Sequence, residues 1–367
     1  MTNEQIQILY DEASKQLDQS RLISKLIILM CEYYLLDKSG EEIYHAICSF
    51  AKEIPVLYRN SNESINVDAI YSLSSLAKAL DRIEVERDKK IQASNMLLKH
   101  YSEMLRFISP NNYNEHAVDI AIYYYLIPLL KYNDDPDAVY NNLLKFTAFR
   151  QLQTTVHTIM VSSLAGDILS SVIENKPELI ANAFHISLSE VKRQKEALLN
   201  YIKRAGLLHD VGKILCTNVI NMQYRKLMDL EFQTIKFHPV TSYEILTEIP
   251  DLTCFRDIAA GHHENYNGVG GYPGIVDIQK SPQKIFIDLI SICDSIDAAT
   301  DTYGRNYTTP KNFQIVLEEL KKETGTRYSP DLVEVISSDK DLQDTIEDRI
   351  SKGRIDIYQY MYQMLTS

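Results

Sequence analysis

The chain has 367 residues, of which 45% are hydrophobic and 24% charged, so it is long enough for one large globular domain or two. Its net charge of −12 argues against a protein whose main task is to bind a nucleic-acid polymer. The five cysteines are scattered, odd in number and without CxxC spacing, which indicates reduced thiols in a cytoplasmic protein.

The apolar segments are too short or too charged to cross a membrane. The run at 22–36 contains Lys25 and Glu32, and the run at 117–130 contains Asp119, whereas a span needs roughly 20 apolar residues. The N-terminus begins with polar and acidic residues, unlike a secretory signal. The sequence therefore predicts no membrane segment.

Spacing typical of α-helices fills residues 1–135, which contain a single glycine, Gly40. Leu22, Leu26, Leu29 and Tyr33, for example, lie on one helical face. Helix breaks are indicated at residues 37–40, 59–63, 109–110 and 133–136. We predict five or six helices here, arranged as a bundle or as helical hairpins, and assign residues 1–135 a regulatory or partner-binding role.

Residues 136–367 form a second predicted domain, in which helical spacing again dominates. Alternation of apolar and polar residues, which would mark a strand, never extends beyond a few residues. The predicted fold class is therefore all-α, with an N-terminal helical module followed by a helical domain that carries the candidate site.

Histidine and aspartate recur at predicted helix ends in this second domain. In "LLHDVGKI", His209 and Asp210 follow an apolar run and precede Gly212. Adjacent helical residues diverge by about 100°, so such a pair can face one metal only near a helix end, which Gly212 is predicted to supply. His238 stands directly before Pro239, where a helix tends to start or stop.

Two further segments complete this pattern. His262 and His263 open the loop "GHHENYNGVGGYPG", which holds five of the 12 glycines of the chain. Asp294 lies in the apolar helix "ISICDSIDAAT", a costly position for a carboxylate unless it is paired or bound to metal. Any one of these residues alone would be read as structural. Together they predict a metal site, because imidazole and carboxylate suit iron, manganese or zinc.

The motifs "HDVGK", "HP", "HHENYNGVGGYPG" and "CDSIDAATDTYGRNY", in this order, resemble the HD-GYP branch of the HD-domain phosphohydrolases. The resemblance extends from about residue 150 to about residue 335. It implies metal-assisted hydrolysis of a cyclic dinucleotide, typically cyclic di-GMP, to the linear dinucleotide or GMP. It also implies two divalent metal ions, iron or manganese, as cofactors.

The family's functional residues map onto single positions of this chain. An earlier helix contributes one ligand, and the implied ligand set is His157, His209, Asp210, His238, His262, His263 and Asp294. Asp210 resembles the carboxylate that bridges the two ions, and it forms the catalytic pair with Lys213, which faces the site. Asp297 and Glu264 are expected to orient ligands. The substrate side is implied to comprise Lys213, Gly271, Tyr272, Pro273 and Arg305.

The chain departs from the family pattern at several positions. Asn267 replaces an aspartate, and the loop is one residue longer before Tyr272. An insertion is expected around 174–200, which makes His185 structural. Some members carry a glutamate four residues before the first histidine; the matching Gln153 is a poorer ligand, so we predict two ions rather than three.

Two other functions stay open at this point: an HD-type phosphohydrolase that acts on other nucleotides, and a non-catalytic nucleotide-binding signalling receptor. The expected partners are a cyclic dinucleotide substrate and, through residues 1–135, another protein. A homodimer is compatible with the sequence. Binding to a nucleic-acid polymer or to a membrane is not expected, and the predicted location is the cytoplasm.

Overall fold

The computed structural model describes residues 1–16, 18, 21–59, 67–107, 112–133, 135–216, 227–304 and 309–366. In these residues the secondary structure is helical, and β pairing is limited to two isolated bridges, Glu264–Gly271 and Thr324–Tyr328. The all-α prediction is confirmed. The chain divides into two compact units, Met1–Phe146 and Thr147–Ser367.

The N-terminal unit is built from helices of 4 to 21 residues. Ser39 starts the third of them with a capping box, in which its hydroxyl accepts from the Glu42 N–H and Glu42 bonds back to the Ser39 N–H. Ile43 and Ile47 of that helix are fully buried. The helices are α1 Asn3–Gln16, α2 Leu22–Tyr34, α3 Gly40–Ala51, α4 Ile54–Arg59, α5 Val67–Arg82, α6 Arg87–Phe107, α7 Asn112–Ala121, a π-helical turn Ile122–Leu126, α8 Ile127–Leu130 and α9 Pro136–Arg150.

The compact units divide inside α9, after Phe146, rather than at the predicted boundary between residues 135 and 136. The sequence break before Pro136 is a helix start: Asp135 accepts a hydrogen bond from the Asp137 N–H at 3.0 Å, and proline fits the first helical position. A turn between two helices of one unit has the same composition as a linker, which is why the sequence suggested a boundary at this position.

The C-terminal unit is organised around its longest helix, α10, Leu152–Asn175. A Cβ on Gly206 would lie 2.6 Å from Ser162 Cα, so glycine permits the close crossing between α13 and α10. The remaining helices are α11 Pro177–Phe184, α12 Leu188–Arg193, α13 Lys195–Leu208, α14 Asp229–Ile235, α15 His238–Glu248, α16 Arg256–Gly261, α17 Lys284–Thr300, α18 Phe313–Lys322, α19 Pro330–Ser338, α20 Lys340–Asp348 and α21 Arg354–Thr366.

Helix α10 is long and apolar enough to span a membrane by length and composition alone. However, 78% of its most apolar window is buried inside the protein, as is usual for the central helix of a folded domain. The C-terminal helix α21 packs against α10: Met361 forms an apolar cluster with Val156 and Met160. A π-helical turn, Arg349–Gly353, leads into α21.

Candidate metal centre

Five segments bring the seven implied ligands together. His157 lies on α10, His209 and Asp210 follow the end of α13, and His238 begins α15. His262 and His263 follow α16, and Asp294 lies on α17. All are buried except His263, whose side chain is 18% exposed.

The carboxylate of Asp210 lies at the centre of these residues. Its Oδ2 is 3.2 Å from His157 Nε2 and 3.4 Å from His209 Nε2. Its Oδ1 is 2.9 Å from His238 Nε2 and 3.7 Å from His262 Nε2. Each oxygen of one carboxylate therefore faces a different pair of histidines, which is the arrangement of a bridging ligand.

The side chains fall into two groups whose ligand atoms lie within 4.8 Å of one another: His157 with His209 and Asp294, and His238 with His262 and His263. His209 also groups with Asp210 and His262. Nitrogen and oxygen donors in this mixture suit divalent iron, manganese or zinc.

Unsatisfied polar atoms at the centre of the cluster fit a metal. Among the described residues, Nε2 of His157, Nε2 of His209 and Oδ1 of Asp210 are buried without a hydrogen-bond partner. Buried polar atoms are nearly always hydrogen-bonded, and these three belong to side chains of the same cluster. Coordination to metal ions would satisfy all three atoms.

The histidine rings are oriented by their other nitrogen. Nδ1 of His209, His238 and His262 lies 2.7 to 2.8 Å from the carbonyl oxygen three residues earlier, of Gly206, Ile235 and Ala259 respectively. A carbonyl can only accept, so Nδ1 carries the proton and Nε2 is free to bind metal. His157 differs, because its Nδ1 lies 2.6 Å from Asp297 Oδ2, as the sequence led us to expect of Asp297.

The pKa of His157 is shifted in the opposite direction from those of His238, His262 and His263. Burial lowers the pKa of His238 and His262, and lowers that of His263 to about 3, so these rings are neutral at neutral pH. Burial would lower the pKa of His157 too, but Asp210, Asp294 and Asp297 outweigh it and raise this pKa to about 10. The field at His157 therefore favours a cation, which a metal ion satisfies.

The segment that carries His209 and Asp210 is fixed by contacts that sequence reasoning missed. Helix α13 ends at Leu208, so Gly212 does not end it as predicted; Gly212 lies in the 3-10 turn Val211–Leu215. A Cβ there would collide with the His238 carbonyl oxygen and lie 2.6 Å from Ser242 N. Glycine is required for close approach, not for ending the helix.

Gln151 holds the middle of this turn. Its Nε2 donates to the Lys213 carbonyl oxygen at 2.5 Å, and its Oε1 accepts from Thr154. Lys213 in turn contacts Oδ2 of Asp210 through Nζ. Burial alone would raise the pKa of Asp210, but Lys213, His209 and His238 hold it well below its ordinary value.

The glycine-rich loop takes conformations that only glycine adopts easily. Gly270 and Gly271 have φ values of +85° and +82°, and a Cβ on Gly271 would lie 2.7 Å from Glu264 Cα. Tyr272 stacks on His263 with ring centroids 4.6 Å apart. Glu264 accepts from the Gly274 N–H, so it braces the loop rather than a metal ligand.

A cavity of about 790 Å³ opens beside the metal centre, and His262, His263 and Asp294 line it. Gly271 and Tyr272 also line it, as expected for the substrate side. Its other walls were not anticipated from the sequence; they include Phe232, Lys311, Glu319, Leu320, Glu323, Arg327 and Tyr328. These residues carry no motif, because only the folded chain brings α18 and its following turn to α17.

Comparison with known proteins agrees with this geometry. Residues 167–332 match a family model described as an HD domain. The chain is 29% identical over 217 residues to a cyclic di-GMP phosphodiesterase of Thermotoga maritima, covering 58% of this chain and 52% of that protein. It is 32% identical over 143 residues to a 3'3'-cGAMP-specific phosphodiesterase of Vibrio cholerae, covering 38% and 26%. Residues 167–332 therefore resemble an HD domain, in a chain that is similar to these phosphodiesterases.

A third relative, a cyclic di-GMP phosphodiesterase of Pseudomonas aeruginosa, is 31% identical over 120 residues, covering 32% of this chain and 28% of that protein. The chain thus spans about half the length of the Thermotoga protein and less of the other two. His157 lies before the residues that match the HD-domain model, although it joins the same cluster.

Some predicted HD-GYP residues lie away from the cavity or outside the described residues. Arg305 falls outside the described residues. Lys213 does not line the cavity, and its side chain is 13% exposed behind Asp210. Pro273 is half-buried in the loop but does not line the cavity either.

Two other positions were weighed as ligands from the sequence. The side chain of Gln153 is exposed, whereas the ligand cluster on the same helix is reached through the buried His157. His185 is also exposed and ends α11 with a φ of +54°, within the expected insertion. Neither residue contributes to the cluster.

Proposed function

We propose that this chain is a metal-dependent phosphodiesterase that hydrolyses a cyclic dinucleotide to the linear dinucleotide or GMP. Cyclic di-GMP is the substrate that we favour. The position of Asp210 between two groups of histidines carries the proposal. Paired metal ions bridged by one ligand are a common device for hydrolysing phosphodiesters. The printed names of the relatives support this substrate class.

Each group of side chains is suited to hold one divalent ion, with Asp210 shared between them. Ions bound there supply Lewis acidity, which activates water and neutralises charge on the phosphate. The chain's own contribution is orientation: backbone carbonyls fix three imidazoles, and Asp297 fixes His157.

The cavity supports a substrate of dinucleotide size. Its volume of about 790 Å³ lies within the range of small-molecule sites, roughly 300 to 1,000 Å³. Tyr272 provides an aromatic wall next to His263, and Lys311 and Arg327 line the cavity in ion pairs with Glu319 and Glu323. We assign substrate contacts to Lys213, Gly271, Tyr272, Pro273 and Arg305 by their match to the family motif.

Further parts of the proposal follow from the donor set and composition. We infer two ions, iron or manganese, because both accept mixed imidazole and carboxylate ligands. A cytoplasmic location is supported by five free cysteines. Residues 1–135 are proposed to receive a regulatory signal or a protein partner, and a homodimer is compatible with this arrangement.

The test is a substrate panel. Anaerobically purified protein loaded with Fe²⁺ or Mn²⁺ is incubated with cyclic di-GMP, 3'3'-cGAMP, cyclic di-AMP and GTP, and the products are separated by chromatography. We expect cleavage of cyclic di-GMP and little or none of GTP. Asp277→Ala, at an exposed aspartate, is the control variant that should keep full turnover.

Two outcomes would contradict the proposal. A fully loaded preparation that cleaves GTP but no cyclic dinucleotide would indicate an HD-type phosphohydrolase of other specificity. One that binds a cyclic dinucleotide without cleaving it would indicate a receptor.

A further inference from the structure

Arg354, the first residue of α21, is fully buried in the C-terminal unit. Its Nη2 lies 2.9 Å from Asp297 Oδ1 and donates to Thr300 Oγ1 at 3.1 Å. Its Nη1 lies 3.3 Å from Asp301 Oδ1. A buried guanidinium needs such partners, and both carboxylates lie at the C-terminal end of α17, the helix that carries Asp294.

The first carboxylate connects Arg354 to the metal centre. Asp297 is itself fully buried; one oxygen faces Arg354, and the other lies 2.6 Å from Nδ1 of His157. Of the four histidines whose Nδ1 faces away from the cluster centre, His157 alone is oriented by a side chain rather than a backbone carbonyl. The direction of its Nε2 therefore depends on how Asp297 is held.

The second carboxylate connects Arg354 to the loop after α17. Asp301 Oδ1 accepts from the N–H of Tyr303 at 3.0 Å and of Gly304 at 2.9 Å. A Cβ on Gly304 would lie 3.0 Å from the hydroxyl of Tyr358, one turn further along α21. Arg354 thus contacts both Asp297, which orients a candidate metal ligand, and Asp301, which holds the loop that precedes Arg305.

We propose that Arg354 is a positioning residue for the metal centre, and that α21, which lies outside the residues matching the HD-domain model, is a working part of the site. Arg354 fixes Asp297, and Asp297 fixes His157 for the ion that His157, His209 and Asp294 hold. This inference rests on the metal centre of the proposed function, but not on the identity of the substrate. Carboxylates that orient histidine ligands typically change metal affinity by about 10- to 100-fold when they are altered.

The test compares Arg354→Met with Arg349→Met. Arg349 lies in the π-helical turn next to α21 and anchors it to α10 through an ion pair with Asp167, Nε to Oδ2 2.8 Å, so it controls for loose attachment of the segment. Co²⁺ is titrated into the metal-free protein, and its visible absorption and stoichiometry are recorded without substrate.

We expect Arg349→Met to bind two Co²⁺ ions as the parent does. In Arg354→Met one of the two ions should bind about 10- to 100-fold more weakly with an altered spectrum, because the group of His238, His262 and His263 is untouched. Two ions bound with the parent's affinity and spectrum in Arg354→Met would overturn the inference. A parent protein that binds Co²⁺ but cleaves no cyclic dinucleotide would refute only the proposed substrate.

Two further variants keep the inference testable if Arg354→Met does not fold. Asp297→Asn should weaken the binding of the same Co²⁺ ion, since it alters the contact of Asp297 with Nδ1 of His157. Asp301→Asn should leave Co²⁺ binding unchanged and raise KM for the substrate, since it removes the charge that holds the loop N–H groups but keeps a side-chain oxygen for Arg354 and does not touch Asp297. Identical Co²⁺ binding in Asp297→Asn and the parent would contradict the role assigned to this network.

Discussion

Gly212 donates its backbone N–H to the hydroxyl oxygen of Ser242 at 2.8 Å, in a fully buried contact. The bond joins the turn after His209 and Asp210 to the helix that begins at His238. This bond fixes the separation between His209 and Asp210 on one segment and His238 on the other, although neither Gly212 nor Ser242 is itself a candidate ligand.

We predict that Gly212→Ala is strongly destabilising. The new methyl group would collide with the His238 carbonyl oxygen, and overpacking of this kind costs about 1 to 3 kcal/mol or more. Thermal unfolding should show a lower Tm, and metal content should fall with it. Gly353→Ala is the control, because its nearest neighbours would lie 3.8 Å away; equal Tm values for both variants would contradict the prediction.

Asp210→Ala should lose most of the bound metal and the activity. The change removes the carboxylate that faces both groups and leaves the Lys213 ammonium without its partner. We expect turnover to fall by at least about 100-fold, with both ions weakened, as measured by elemental analysis and product chromatography. Near-normal turnover would show that the metal centre has been assigned to the wrong residues.

Elemental analysis of the parent protein should return two metal ions per chain. The side chain of Gln153 is exposed, so Gln153→Ala should change neither stoichiometry nor turnover. Gln153→Glu tests the position directly, because a carboxylate is a better ligand than an amide for a third ion. A value of three in the parent protein would contradict the prediction.

Asp288 should make stability depend on pH. Burial raises its pKa to about 6 despite the nearby Lys284, whereas the ordinary value is 3.8. The folded protein thus binds this proton more tightly than the unfolded chain does. The corresponding stabilisation is complete below pH 3.8 and is lost as the pH rises through about 6.

Asp288→Asn should abolish that dependence. Relative to the parent, its free energy of unfolding should gain up to about 3 kcal/mol between pH 4 and pH 7, whatever the constant cost of leaving Lys284 unpaired. Denaturant unfolding at several pH values measures this difference. Asp277→Asn, at an exposed carboxylate, should show no such gain; parallel curves for the parent and Asp288→Asn would refute the assignment.

The residues of the cluster could be predicted from the sequence because the short motifs that resemble the HD-GYP family contain them. Helical periodicity likewise predicted the all-α class, since apolar spacing follows from burial of one helix face. Neither source indicates which helices cross. The contact of Gly212 with Ser242, 30 residues later, and that of His157 with Asp297, 140 residues later, arise only when the chain folds.

Residues without a motif were correspondingly missed or misplaced. Gln151 supports the Lys213 turn, whereas sequence reasoning singled out Gln153 two positions later. At the start of a helix, two positions separate a buried side chain from an exposed one, and the exact helix start cannot be read from periodicity. Glu264 was expected to orient a metal ligand and instead braces the loop through the Gly274 N–H.

The hydrogen-bond partners of the histidine rings differ between the two candidate ion positions, and so does the sensitivity of each position to mutation. Carbonyl groups hold His209, His238 and His262, and every amino acid supplies a carbonyl, so substitution at Ile235 or Ala259 leaves that bond available. His157 instead takes its direction from a carboxylate, which a single codon change can delete. Substitutions in the surrounding sequence should therefore weaken metal binding at the position that contains His157 sooner than at the position of His238, His262 and His263.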